Sequence, residues 1–82
     1  MSYNLYIVEC SDGTYYTGIA VDVEKRMREH NDSARGARYT RARRPVTLVY
    51  QEKLPDRSSA LKREYAVKKM TRAQKSALVR AQ

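Results

Sequence analysis

The fold of this chain is decided by residues 4–19, which read NLYIVECSDGTYYTGI. Residues 4–10 are a nearly continuous apolar run of high β-propensity, which predicts a strand that is covered on both faces. Residues 11–13, SDG, suit a hairpin loop, because Gly13 can adopt the left-handed conformation that ends a three-residue turn. Residues 14–19 are predicted to return as the partner strand.

The length of this loop fixes which residues of the two strands face each other. A three-residue loop pairs Cys10 with Thr14 and Tyr6 with Gly18. Because side chains alternate along a strand, Tyr6, Gly18 and Tyr16 then lie on one face of the sheet. A four-residue loop would place the two tyrosines on opposite faces.

The rest of the chain is predicted to supply three helices and one further strand. These are a helix over 23–30 capped by Asp22, a strand over 46–52, a helix over 57–70 capped by Asp56 or Ser58, and a last helix through Arg80 that begins with the capping-box pattern Thr71-x-x-Gln74. Residues 32–45 are a polar, arginine-rich connection. The predicted fold class is therefore α+β, a three-stranded and largely antiparallel sheet flanked by helices.

Size and cysteine content narrow the class of protein. With 82 residues the chain has room for one modest core, so we expect a single domain over residues 1–82. Its lone cysteine, Cys10, cannot form an internal disulfide, which favours a packing role and a reducing compartment. No apolar run has the length of a membrane span, and the first residues do not resemble a signal peptide. These features predict a cytoplasmic protein without a membrane partner.

Charge is unevenly distributed along the chain, whose net charge is +8. Residues 1–24 carry four acids and no Lys or Arg, whereas residues 25–44 carry a net +6 and residues 57–82 a net +7. Such basic segments suit a polyanionic partner, since neutralising phosphates releases condensed counterions. The alternative is a solvated basic surface that improves solubility, and charge alone does not separate the two.

Two ionisable residues of the first helix are predicted on its core-facing side. At about 100° per residue, Arg26 and His30 fall on the side of Val23 and Met27. An ionisable group there is costly unless it is paired, hydrated or bound to metal. For His30 the alternative is a helix-terminal residue that complements the negative end of the helix dipole.

The helix over 57–70 shows the same feature. Its predicted apolar arc is outlined by Ala60, Leu61, Tyr65 and Val67. Glu64 and Lys68 lie inside this arc, and the alternative interpretation of the two is an ordinary ion pair between residues four apart. Two tyrosines, an arginine, a histidine and a carboxylate aimed at one sheet face would form a set suited to phosphodiester hydrolysis.

These residues resemble the GIY-YIG nuclease superfamily over residues 3 to about 80. The two namesake motifs correspond here to Asn4-Leu5-Tyr6, without the opening glycine, and to Tyr16-Thr17-Gly18. Residues 22–31, DVEKRMREHN, are similar to the family's first helix, and residues 60–65, ALKREY, to its later helix. Tyr39-Thr40 resembles a short motif in the connection of small stand-alone bacterial members.

The resemblance implies hydrolysis of a phosphodiester bond with one divalent metal ion, Mg²⁺ or Mn²⁺, held by Glu64, and without a covalent enzyme intermediate. Tyr6 would be the general base or the phenol that positions water, and Tyr16 would support it. Arg26 would bind the scissile phosphate, while His30 would assist proton transfer or bind phosphate. A phenol has an ordinary pKa of about 10. Tyr6 is therefore expected to need nearby cations, namely Arg26, His30 and the metal, to act as a base near neutral pH.

The expected partner is nucleic acid, with DNA favoured over RNA and no obligate protein partner. Gly18, which lacks a Cβ, would let the substrate backbone approach closely. Further contacts are expected in the basic connection, from Arg38, Tyr39, Thr40 and Arg43. These residues would read the phosphate backbone or its shape rather than base sequence. The alternative for this run is a flexible, solvated loop.

Two departures from the family pattern define the competing function. Ile19 follows Gly18 where some active relatives carry lysine or serine, and no separate DNA-recognition domain is present in the 82 residues. The alternative to an endonuclease is therefore a nucleic-acid-binding module that keeps the scaffold and has little or no catalytic activity. A basic adaptor for protein partners has no positive sequence feature.

Overall fold

The computed structural model of the chain describes residues 2–32 and 35–81. Within them the elements in chain order are β1 (Tyr3–Glu9), β2 (Tyr15–Ala20), α1 (Val23–Asp32), α2 (Arg38–Arg41), β3 (Thr47–Leu54), α3 (Arg57–Lys68) and α4 (Arg72–Arg80). The strands form one antiparallel sheet in the order β2-β1-β3. The predicted α+β class is confirmed. The short helix α2 was not predicted and lies in the arginine-rich connection.

The hairpin has the predicted three-residue loop. The backbone N–H of Cys10 donates to the carbonyl of Thr14 at 2.8 Å, and that of Gly13 donates to the carbonyl of Cys10 at 2.9 Å. Gly13 has a φ of 83°, the left-handed conformation that this turn requires. The register pairs Tyr6 with Gly18, as the loop length predicted.

The central strand β1 separates two apolar clusters. Its side chains Tyr6 and Val8 define the α1 face of the sheet, which is covered by Val23 and Met27 of α1. Its side chains Leu5 and Ile7 define the α3 face, which is covered by residues of α3, α4 and the segment between them: Val67, Met70, Leu78 and Val79. Covering β1 on both faces explains its continuous apolar run.

Helix starts follow the predicted caps. The capping bonds run from Lys25 N–H to Asp22, from Ser59 N–H to Asp56, and in both directions between Thr71 and Gln74, at 2.8 to 3.2 Å. The ends differ by two residues, because α1 continues to Asp32 and α3 stops at Lys68. Helix limits are therefore fixed more closely by N-terminal caps than by the end of the apolar pattern.

The predicted apolar arc of α3 is wrong in part. Ala60 and Val67 are fully buried, but Leu61 is 39% and Tyr65 is 64% exposed. The helix meets the sheet along the line of Ala60, Glu64 and Val67, which are spaced by four and three residues. Leu61 and Tyr65 lie on the other side of that line and face solvent.

Strand β3 contains an irregularity that the sequence pattern did not predict. Ile7 pairs with Tyr50 while Val8 pairs with Leu48, so Val49 is an extra residue, as in a β-bulge. Paired residues share a face, so Leu48 lies on the α1 face and Tyr50 on the α3 face. The expected alternation, with Leu48 and Tyr50 together, is wrong because the bulge reverses it.

The structure also bears on the expectations for the lone cysteine and for a membrane span. Cys10 is a free, buried thiol in the cluster on the α1 face, in agreement with a packing role. No helix in residues 2–32 and 35–81 is long and apolar enough to cross a membrane.

The buried side of α3 can be tested by truncation. Val67→Ala removes two methyl groups from a fully buried position and is expected to lower the free energy of unfolding by about 2 kcal/mol. Leu61→Ala removes more carbon from a position that solvent reaches, and is expected to cost less than about 1 kcal/mol. Urea denaturation of both variants gives the comparison, and a larger loss for Leu61→Ala would contradict the observed face.

Candidate active site

A hydrogen bond between Tyr6 and His30 joins the central strand to helix α1. Tyr6 Oη lies 2.8 Å from His30 Nε2, and the two side chains are 1% and 0% exposed. Their rings meet edge to face, with centroids 5.7 Å apart. The predicted placement of both residues in the core is therefore correct, and they are in direct contact.

Tyr16 completes an aromatic cluster around His30. Its ring lies edge to face with the His30 ring at a centroid distance of 5.4 Å. On the outer side, Tyr39 stacks on Tyr16 at 6.0 Å with the planes inclined by 22°. The guanidinium of Arg43 covers the Tyr39 ring at 3.9 Å from its centroid. Tyr39 therefore contacts both Tyr16 and Arg43.

The contacts of α2 and of Arg43 bear on the nucleic-acid contacts expected from this segment, and those expected from Tyr39 and Arg43 stay predictions. Thr40 is 0% exposed and bonds to His30, so it cannot touch nucleic acid directly. Tyr39 donates its hydroxyl proton to Thr14 at 2.9 Å, and Arg43 forms an ion pair with Asp12 at 3.0 Å. The segment is thus fastened to the hairpin and is not a free loop. Arg38 is exposed, and its contact with nucleic acid stays a prediction.

Thr40 also has a second hydrogen bond. Its Oγ1 lies 2.9 Å from His30 Nδ1 and donates to the carbonyl of Ala37 at 2.9 Å. Both ring nitrogens of His30 therefore have a partner, Tyr6 on one side and Thr40 on the other.

Gly18 is needed for a different reason from the one predicted. A Cβ at this position would lie 2.5 Å from Tyr6 Oη and 2.7 Å from Tyr6 Cζ. The phenol therefore passes directly over the glycine. The space that we expected the substrate backbone to use is filled by Tyr6 itself.

Arg26 lies beside this pair, half-buried. Its Nη1 donates to Glu29 Oε1 at 3.1 Å and to the carbonyl of Arg35 at 2.8 Å. Burial raises the pKa of Tyr6 to about 12, and the hydrogen-bonding guanidinium of Arg26 only partly opposes this rise. The charge of Glu64 adds to the rise in the Tyr6 pKa. Tyr6 is therefore a neutral phenol near neutral pH in the protein on its own.

His30 is a neutral imidazole. Burial lowers its pKa to about 4, with the positive charges of Arg26 and Arg44 contributing to this fall and Glu29 opposing it. The expectation that His30 acts as a cation that favours a Tyr6 phenolate is therefore wrong for the free protein. A neutral ring can accept a proton, which a cation cannot do.

Glu64 comes from the opposite layer. It belongs to α3, which packs on the α3 face, so the expectation that all five side chains are aimed at one face is wrong for Glu64. Its Oε2 lies 3.3 Å from Lys68 Nζ, so the ion pair between residues four apart is present. Its charge nevertheless acts on Tyr6, since it raises the pKa of that phenol.

The donor set around Glu64 fits only one kind of metal site. In the part of the chain that the structure describes, no group of three or more His, Cys, Asp or Glu side chains could hold a metal. Glu64 offers a carboxylate whose side chain is 20% exposed. Mg²⁺ commonly binds through one or two carboxylates and keeps water and phosphate oxygens as its other ligands. Glu64 therefore fits a hard divalent ion shared with a phosphate substrate, and does not fit a preformed cage.

Two residues that hold the end of α1 were missed from the sequence. The Arg44 guanidinium donates to the carbonyls of His30 and Glu29, at the negative end of the helix dipole. The Asn31 amide donates to the carbonyl of Val46 at 3.1 Å and accepts from its N–H at 2.7 Å. Such contacts join distant parts of the chain, and no local pattern indicates them.

The sheet with its flanking helices and the cluster of Tyr6, Tyr16 and His30 are those of a GIY-YIG nuclease domain. The family model of the GIY-YIG catalytic domain matches residues 2–77, so the chain belongs to this nuclease family and the resemblance is confirmed.

Its relatives include small proteins of the UPF0213 group. The chain is 58% identical over 77 residues to the UPF0213 protein DP2720 of Desulfotalea psychrophila, covering 94% of this chain and 70% of the relative. It is 53% identical over 76 residues to the UPF0213 protein VNG_2274C of Halobacterium salinarum, covering 93% and 97%. The solution NMR structure of the UPF0213 protein BH0048 from Bacillus halodurans is 41% identical with a TM-score of 0.64, covering 100% and 86%.

The role of Gly18 can be tested in two backgrounds. Gly18→Ala is expected to lower the free energy of unfolding by about 1 to 3 kcal/mol, because the new methyl group meets the Tyr6 phenol. In a Tyr6→Leu background the phenol is absent, and the same substitution is expected to cost less. Equal costs in the two backgrounds, measured by urea denaturation, would place the strain in the backbone of β2.

The buried neutral His30 predicts a particular loss of stability in acid. Because its pKa is lowered from 6.5 to about 4, the unfolded chain binds this proton more readily than the folded one. The contribution is complete above about pH 6.5 and is lost as the pH falls toward 4, by roughly 3 kcal/mol in total. Free energies of unfolding across this range are expected to fall by that much more for the wild type than for His30→Gln. Parallel curves would show that His30 takes up its proton as readily in the folded protein as in the unfolded chain.

Proposed function

We propose that the chain is a divalent-metal-dependent endonuclease that hydrolyses phosphodiester bonds in DNA, directed by backbone or structure and not by base sequence. The observation that carries the proposal is the buried hydrogen bond between Tyr6 and His30 with the Arg26 guanidinium beside it. We propose that it works as a single cytoplasmic domain over residues 1–82. Membership of a nuclease family supports the class of reaction.

The chemistry assigns one task to each side chain. Tyr6 positions the attacking water and takes up its proton, and His30 is the partner with which Tyr6 exchanges a proton over 2.8 Å. Arg26 binds the scissile phosphate and stabilises the charge that develops on its oxygens. Tyr16 holds the His30 ring in place through the edge-to-face contact.

Glu64 would hold Mg²⁺ or Mn²⁺, with water and phosphate oxygens as the remaining ligands. The ion would supply charge stabilisation of the phosphoryl oxygens and of the leaving oxygen. In the free protein Lys68 is the partner of Glu64, so this carboxylate already has a cationic neighbour. Its single-carboxylate site favours an ion that arrives together with the substrate.

The charge distribution supports a nucleic-acid substrate. The segments 25–44 and 57–82 carry net charges of +6 and +7, which suit contact with phosphates on either side of a cleaved bond. Arg38 is exposed on α2, and we propose that it contacts the backbone. The Tyr39 ring already stacks with Tyr16 and carries the Arg43 guanidinium, so it is partly occupied as a platform for a base. This favours backbone contacts over base recognition.

A cleavage assay with matched variants tests the function. Wild type with Mg²⁺ or Mn²⁺ is expected to cut branched or single-stranded DNA, and Tyr6→Phe or Glu64→Gln is expected to lose at least about 100-fold. Tyr65→Phe and Glu24→Gln make the same chemical changes at exposed positions and should cut like wild type.

The outcomes separate the two candidate functions. Cutting that persists in both Tyr6→Phe and Glu64→Gln would reveal a contaminating nuclease. Salt-sensitive binding of DNA without any metal-dependent product would favour the binding module. That module remains the second candidate because position 19 is Ile19 and not a lysine or serine. If Glu64→Gln keeps its activity while Tyr6→Phe loses it, Glu64 does not hold the metal.

A further inference from the structure

We infer that Thr40 is a positioning residue that fixes the tautomer of His30, so that His30 receives a proton from Tyr6 and does not donate one to it. This inference rests on the proposed function for its catalytic meaning. The assignment of the tautomer itself rests on the hydrogen bonds of Thr40, His30 and Tyr6 and on the neutral charge of the ring.

The first step is the direction of the bond at Thr40. A threonine hydroxyl has one proton to donate and lone pairs that accept. The carbonyl of Ala37 can only accept, so the proton of Thr40 is directed to Ala37 across 2.9 Å. Oγ1 can then face His30 Nδ1, at 2.9 Å, only as an acceptor. Nδ1 must therefore carry the proton.

The second step follows from the charge of the ring. A neutral imidazole has one protonated and one bare nitrogen. With the proton on Nδ1, Nε2 is bare and accepts, and the hydroxyl of Tyr6 is the donor across 2.8 Å. The chain of donors thus runs from Tyr6 through His30 and Thr40 to the carbonyl of Ala37.

Burial makes this direction specific. Thr40 and His30 are both 0% exposed, so water cannot replace a missing partner at either side chain. In the other tautomer Nε2 would carry the proton, and the Tyr6 hydroxyl would lose this acceptor. A buried donor without an acceptor loses its full solvation, which disfavours that tautomer. The direction therefore depends on one hydroxyl from the short helix α2, the element that the hairpin holds through Tyr39 and Arg43.

The proton balance in the proposed reaction is simple. Tyr6 gives its hydroxyl proton to His30 Nε2 and takes one from the attacking water, whose oxygen forms the new bond to phosphorus as the bond to the leaving oxygen breaks. The leaving oxygen takes a proton from solvent, and His30 later returns its proton to Tyr6, which releases the proton taken from the water to solvent. Nδ1–H keeps its bond to Thr40 throughout.

Nitrogen-15 NMR of the ring tests the tautomer without reference to cleavage. The chain has one histidine, so the long-range nitrogen–proton spectrum contains a single imidazole. The wild type is expected to show a protonated Nδ1 and a bare Nε2. Thr40→Val keeps the shape and removes the acceptor, so the Nε2-protonated form should appear, and Thr40→Ser should restore the wild-type pattern.

Cleavage kinetics give the second readout. Thr40→Val is expected to lower kcat by about 10- to 100-fold with little change in KM, and Thr40→Ser to recover most of it. Thr17→Val is the matched control, because it removes a buried hydroxyl that has no hydrogen-bond partner among the described residues. It should leave both the tautomer and kcat unchanged.

Each result has one meaning. An Nε2-protonated ring in the wild type, or an unchanged ring in folded Thr40→Val, overturns the inference. If Thr40→Val does not fold, the wild-type and Thr40→Ser spectra still decide the tautomer. Wild type that shows the expected tautomer but cuts no DNA overturns the proposed function and supports the control of His30 by Thr40.

Discussion

The buried hydrogen bond between Tyr6 and His30 is the interaction on which the rest of the site depends. It crosses the α1 face between the central strand and helix α1, where both side chains are buried in the free protein. A buried polar group without a partner costs about 1 to 3 kcal/mol, so a site of this kind is stable only when its network is complete. The open surface of Gly18 lets the phenol reach the imidazole, and the hydroxyl of Thr40 satisfies the other side of the ring.

The pKa values of Tyr6 and His30 show where the proton of this pair lies in the free protein. With a pKa of about 12 for Tyr6 and about 4 for His30, the shared proton stays on the phenol. Burial holds the values apart, because it raises the pKa of Tyr6 and lowers that of His30, and the charges of Glu64 and Arg26 add to the first and the second effect. A phosphate next to Arg26 would offset its charge and so raise the pKa of His30, and it would also raise that of Tyr6, which Arg26 lowers. Neutralising Glu64 would lower the pKa of Tyr6. The cation at Glu64 would thus move the pKa of Tyr6 toward proton transfer, and the phosphate would do the same for the pKa of His30.

The sequence predicted those features that depend on local periodicity. The three-residue turn fixed the register of Tyr6 and Gly18, and the helical period placed Arg26 and His30 inward. What it could not predict depends on contacts between distant residues. Leu61 and Tyr65 look apolar in a helical projection, but which side of α3 is buried is decided by how that helix docks on the sheet. Thr40 looked like a surface residue of a basic loop, because its burial comes with the contacts of α2 to His30 and to Tyr16, the latter 23 residues before Tyr39 in the chain.

The β-bulge in β3 limits how this domain can change in length. Val49 is the extra residue between two regular pairings, Ile7 with Tyr50 and Val8 with Leu48. Its removal would therefore leave the residues on either side of it on the same faces of the sheet as before. A deletion or insertion elsewhere within the strand would exchange the faces of every residue beyond it, and would turn apolar side chains such as Leu54 away from the core. Among natural or engineered variants, changes of one residue in β3 should therefore be confined to the bulge, while the loops absorb the rest.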